Sequence, residues 1–292
     1  MTVKLFSSNP VYFLPYSCYY SGMRLLLFIL LLASLCSCAT SPTGRSQLML
    51  VSPEQAISAS RQAYVQTLQP LAKEGRIDSD PQMASRVRHI TGRIIAQAIA
   101  IYPHTQRWDW SVKVIDDPKM VNAWCMAGGK MAVYSGLLNK VNPTDDELAQ
   151  VLAHEVSHAL ANHTAERMSV AMASQLGVMG IGMATAGSKY GGAALSGSAL
   201  AAAVAIQLPN SRTSESEADL IGIELAARAG YNPYAAATLW QKMERVGSKA
   251  PVEFLSTHPS PGNRQATLRN LAPRYMGLYK QPGYRPVYQF RQ

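Results

Sequence analysis

The residues best suited to chemistry lie in "DDELAQVLAHEVSHALANH", residues 145–163, where His154, Glu155 and His158 stand in the order His-Glu-x-x-His. On a helix, residues four apart share a face, so the two imidazoles can bind one Zn²⁺ while the adjacent glutamate reaches a water at the metal. Zinc lowers the pKa of such a water to about 7, which lets Glu155 serve as general base for attack on a carbonyl. The pattern alone arises by coincidence too often to settle the matter. A catalytic zinc also needs a third protein ligand, with the fourth position left for water.

The candidates for that ligand are in "SRTSESEADLIGIELA", residues 211–226. Glu215 and Asp219 fall on one helical face, so one carboxylate can bind zinc while the other supports a histidine ligand from behind. Glu217 points about 160° away from them on a helical wheel.

These side chains have to be carried by helices, and the sequence marks where those begin. Thr144 followed by Glu147 fits a capping box, Asp145 and Asp146 suit the positive end of the helix dipole, and Leu148, Val151 and Leu152 form a buried stripe. His163, five residues past His158, falls off the metal face on a continued helix and reads as a capping or surface residue.

Upstream, residues 53–72 and 80–103 read as helices, the second opening at Pro81. The alternation in "WDWSVKVIDD" (108–117) and "KMAVYSG" (130–136) predicts two or three strands in a small sheet. Downstream, a helix is expected over 213–229, another after Pro233, and a last short one over 261–272. The Ala/Gly/Met/Ser-rich stretch 170–206 reads as a close-packed helical hairpin turning near "GSKYGG".

The chain has 292 residues, 48% of them hydrophobic, which is ample for a globular core. Its net charge of +9 and pI near 9.4 come from singly scattered basic residues and give no nucleic-acid signature. From Met23, "MRLLLFILLLASLCSC" has the layout of an export signal, too short in its apolar run for a comfortable membrane span. Met23 is the expected true start. Leu35-Cys36-Ser37-Cys38 resembles a bacterial lipobox, which would make Cys38 the lipidated mature N-terminus, and Ala39 after it favours the outer membrane. Cys125 would then be the single cysteine left unmodified.

His154-Glu155-x-x-His158 with Glu215-x-x-Ala218-Asp219 resembles the zinc metallopeptidase family of the CAAX prenyl endoproteases, HtpX, BepA and LoiP. The likeness extends to "VNAWCMAGGKMAVYSGLL" (121–138) and to "STHPSPGNR" (256–264), and it covers roughly residues 50–272. It implies an α+β, mainly helical, zincin-like domain with a small sheet beside the metal helix. It makes Glu215 the third zinc ligand and maps Asp219 onto the family's aspartate. It also implies that Asn122 and the strand around Ala132 pair with an extended substrate. His258 would bind zinc at rest or stabilise the oxyanion, with Arg264 ordering its loop.

The expected organisation is a signal peptide over 1–37, a lipidated tether over 38–52, the peptidase domain over 53–272 and an extended tail over 273–292. The expected function is a zinc metalloendopeptidase acting on unfolded or misfolded envelope polypeptides, anchored at the periplasmic face of the outer membrane. The competing reading is a chaperone-like module for outer-membrane assembly, with the zinc site closed by His258. A zinc hydrolase of cell-wall peptides or lipids is the third.

Overall fold

The computed structural model describes residues 38–184, 211–248, 252–258 and 263–291. The leader and the expected hairpin turn near "GSKYGG" lie outside them. Among the described residues, no helix is long and apolar enough to cross a membrane.

The centre of the fold is helix α3 (Asp145–Leu160), preceded by α1 (Pro53–Lys73) and α2 (Pro81–Ile101). Its start is the expected capping box: Thr144 Oγ1 accepts from the Glu147 N–H at 3.3 Å, and Glu147 Oε2 accepts from the Thr144 N–H at 2.8 Å. Every residue from Glu147 to Leu160 is buried, so this helix has no solvent face and must be enclosed by others. Glu147 tolerates burial because Lys242 Nζ lies 2.6 Å from its carboxylate and Thr238 donates to it at 2.9 Å.

The enclosure comes from α2, from α5 (Arg212–Arg228), α6 (Ala235–Gly247) and α8 (Arg264–Lys280), and from a sheet. Between α3 and α5 run α4 (His163–Ala184), and between α6 and α8 the single-turn α7 (Glu253–Thr257). The sheet contains β3 (Ser111–Ile115), β4 (Ala123–Met126) and β5 (Lys130–Tyr134) in the order β3-β5-β4. β3 runs parallel to β5 and β4 antiparallel to it. Alternation sends Val112, Val114, Ala123, Cys125 and Val133 into the main core, while Ile115 and Ala132 face Tyr64 and Leu68 of α1.

Three expectations are corrected. Residues 38–52 are not simply a tether, because β1 (Cys38–Thr40) and β2 (Ser46–Leu48) pair as an antiparallel hairpin bonded to the body of the domain. The last helix runs to Lys280 instead of ending at 272. Pro273 loses one helical hydrogen bond there, yet the helix continues because Leu268, Ala272 and Tyr275 are buried. The expected substrate-pairing strand around Ala132 is the central strand β5, hydrogen-bonded on both edges, so Ala132 has no edge to offer.

The approach of α3 to α5 depends on Gly222, where a Cβ would sit 3.0 Å from both Cα and N of His154. Gly222→Ala should therefore push α3 and α5 apart and cost about 1–3 kcal/mol. Thermal unfolding measures this directly; an unchanged midpoint would show that the contact is not tight.

Candidate metal centre

Helix α3 places His154 and His158 one turn apart, as their spacing requires, and α5 brings Glu215 across to them. The short α7 ends in His258, which completes the group. One ligating atom from each of these four buried residues falls within a 4.8 Å cluster. His154 Nε2 is 3.1 Å from His158 Nε2 and 3.3 Å from both His258 Nδ1 and Glu215 Oε2. Glu215 Oε1 is 3.0 Å from His258 Nδ1 and 3.5 Å from His158 Nε2.

These separations test whether a metal fits. Tetrahedral zinc with bonds of about 2.0–2.1 Å requires donor atoms about 3.3 Å apart. Five contacts of 3.0–3.5 Å lie near that edge length, drawing on both Glu215 oxygens, and one atom from each of the four residues falls within 4.8 Å of the others. A second sign is Glu155: it is 2% exposed, and its Oε1 makes no hydrogen bond, with His258 Nε2 at 3.4 Å beside it. A buried carboxylate oxygen without a partner is costly unless a cation or water meets it. The donor set of three imidazoles and one carboxylate is that of zinc.

The outer atoms of the ligands are fixed as well. His154 Nδ1 is 3.1 Å from Asp219 Oδ1, which holds its Nε2 toward the metal group. Arg264, at the start of α8, donates from Nε to Asp219 at 2.7 Å and from Nη1 to Glu215 at 3.1 Å. Its guanidinium lies 3.9 Å over the Trp240 ring. Arg264 therefore clamps two carboxylates directly, a larger role than ordering the loop. The His258 ring stacks on Phe254 with centroids 4.3 Å apart, and its Nε2 is 3.4 Å from Glu155 Oε1.

Burial would push Glu215 up, but hydrogen bonds to His154 and His258 hold it well below the usual carboxylate range. Burial also depresses His158, helped by the neighbouring His154, and keeps it neutral, the form able to bind a metal. Glu155 is pushed up, chiefly by burial, which suits it to accept a proton.

Of the remaining expected residues, Asn122 is not in the metal group. It stands just before β4, where its Oδ1 accepts from the Ala123 N–H at 2.9 Å and its C=O accepts from the Tyr134 N–H at 3.1 Å. The edge available beside the metal helix is β4 itself. Asn122 bonds toward β5, so by alternation the backbone groups of Ala123 and Cys125 point away from the sheet. A groove follows that edge, lined by Ser60, Ala63, Trp124, Met126, Thr164 and Arg167. Cys125 lies close enough to Glu155 that, after burial, this carboxylate is the second cause pushing its thiol up.

His163 is a correction. It is 1% exposed, and its Nδ1 lies 2.8 Å from His158 Nδ1. The chain turns at Asn162, which has φ of 55°, so His163 returns beneath the metal ligand instead of continuing around the helix. An asparagine followed by a third histidine was the available signal.

The model for Peptidase family M48 matches residues 81–272. The chain is 36% identical over 176 residues to the mitochondrial metalloendopeptidase OMA1 of Arabidopsis thaliana, covering 59% of this chain and 34% of that protein. It is 32% identical over 245 residues to human mitochondrial metalloendopeptidase OMA1, covering 81% and 46%. It is 30% identical over 201 residues to the beta-barrel assembly-enhancing protease of Escherichia coli, covering 66% and 40%. The chain thus spans less than half the length of these curated relatives.

Burial and the Arg264 charge pull His154 down, but Asp219 and Glu215 outweigh them and raise it to about 9. In the metal-free chain this stabilisation is fully present below the ordinary histidine value and is lost as pH rises through about 9. Zinc has to displace that proton, so its apparent affinity should climb about tenfold per pH unit from neutrality and level off above the His154 value. Chelator competition across this range reads the slope; a flat profile would contradict a protonated His154.

Proposed function

Because the chain belongs to Peptidase family M48, we propose that it is a zinc metalloendopeptidase that cleaves unfolded or misassembled envelope proteins while anchored to the outer membrane through lipidated Cys38. The observation carrying the activity is the set of four buried donors within 4.8 Å, with a glutamate oxygen beside them that makes no hydrogen bond. Bound zinc supplies a positive charge that acidifies water and polarises the scissile carbonyl.

The chain's own residues do the rest. His154, His158 and Glu215 hold the ion, and Glu155 takes the proton of the attacking water and passes it to the leaving amine. Asp219 and Arg264 keep His154 and Glu215 in place. His258 Nδ1 would take the fourth position on a bound ion, which is the reading of this arrangement as a closed site. Hydrolysis requires that ring to withdraw, after which it can donate to the developing oxyanion. The substrate backbone adds to the outer edge of β4, which demands an extended segment and so selects unfolded polypeptides.

The envelope assignment rests on the leader-like residues before Cys38 and on the Escherichia coli relative named for enhancing β-barrel assembly. Relatives with mitochondrial names share similarity over the same region, so the N-terminal residues of this chain carry the compartment. The presence of His258 within the donor group favours one second reading, a binding module for outer-membrane assembly whose site stays closed.

Casein digestion by the zinc-loaded full chain separates the two. Wild type should cleave, and Glu155→Gln should bind zinc equally but turn over about 10²–10⁴-fold more slowly. If wild type is inert and His258→Ala cleaves, the resting protein is closed. If neither cleaves with zinc bound, the binding module is the correct reading.

A further inference from the structure

Behind His158, on the side away from the other ligands, a chain of polar groups leads out to the N-terminal hairpin. His158 Nδ1 meets His163 Nδ1 at 2.8 Å, and His163 Nε2 meets Glu217 Oε2 at 3.1 Å. Glu217 also accepts from Thr43 Oγ1 at 2.6 Å and from Arg45 Nε at 3.0 Å. Arg45 in turn donates from Nη1 and Nη2 to the two oxygens of Glu166, at 2.6 and 2.7 Å. Gln47 Nε2 ties the second hairpin strand to the Ala161 carbonyl and to Glu166, both at 2.8 Å.

Only one arrangement of protons satisfies this chain when His158 is a ligand. Its Nε2 must present a lone pair to the metal group, so its Nδ1 carries the hydrogen and donates to His163 Nδ1. That makes His163 an acceptor at Nδ1 and a donor at Nε2, toward an acceptor-only carboxylate. The Glu217 charge is balanced by Arg45, which arrives from the turn between β1 and β2.

We infer that His163 and Glu217 are positioning residues for the metal centre, and that Thr43 and Arg45 of the N-terminal hairpin complete their support. The inference rests on the zinc reading of the site. His154 and His158 are then held in unlike ways: the first by Asp219 directly, the second by an imidazole relayed to a carboxylate. Loss of such outer partners weakens metal binding about 10–100-fold in other zinc sites. A hairpin within ten residues of Cys38 thereby becomes part of the support of a metal ligand.

The test uses the full chain, with zinc affinity measured by chelator competition and the imidazole nitrogens read by ¹⁵N NMR of the zinc-loaded protein. His163→Ala and Glu217→Gln should bind zinc about 10–100-fold more weakly than wild type. His163→Ala should also lose the protected Nδ1–H signal of His158. Glu224→Gln, on the same helix α5, breaks only the partly exposed pair with Arg228 and should show no comparable loss. If His163→Ala fails to fold, Glu217→Gln, which keeps the side-chain shape, carries the test. Unchanged affinity in the folded variants, or an equal loss in Glu224→Gln, overturns this inference alone. A wild type that binds no zinc overturns the metal reading and this inference with it.

Discussion

Glu215 has no solvent exposure, and its carboxylate lies among three imidazoles and a guanidinium. A charge placed there without partners would cost several kcal/mol, so the surrounding structure has to bring compensation from several directions at once. His154 and His158 come from α3, His258 from the end of α7 and Arg264 from the start of α8. That convergence explains why α3 is buried along nearly its whole length and why Gly222 permits α5 to lie so close to His154. Arg264 begins a helix, where a cation is unfavourable to the dipole, and it is held there by Asp219, Glu215 and the face of Trp240.

The same constraint divides the residues around the ligands into an inner clamp and an outer chain. Asp219 and Arg264 act directly on His154 and Glu215. His163 and Glu217 reach His158 from the opposite side and end in the hairpin formed by β1 and β2. Helix α5 serves both sides, since Glu215 and Asp219 face His154 while Glu217 faces His163. The 160° separation that removes Glu217 from the ligand set is what makes it available to the hairpin.

The metal helix was legible because its signals are local: a capping box, a period of apolar residues and two histidines at one-turn spacing. Glu215 and Asp219 were legible through their own spacing and through family resemblance. His163 was not, because a helical wheel assumes that the helix continues, and one left-handed residue at Asn162 reverses the chain. The choice of edge strand was also hidden. Alternation locates strands but gives no order, so nothing in residues 121–138 distinguishes the central β5 from β4, the edge strand among the described residues. The hairpin at 38–48 read as a tether because turn-forming residues suit both, and its partners Glu166 and Glu217 lie far along the chain.

The most direct test of the account is the X-ray absorption spectrum of the zinc-loaded full chain at the zinc edge. Four nitrogen or oxygen neighbours at about 2.0–2.1 Å, with outer-shell scattering from three imidazoles, are predicted from His154, His158, His258 and Glu215. A sulfur neighbour, a six-coordinate oxygen shell or two imidazoles or fewer would contradict the centre described above.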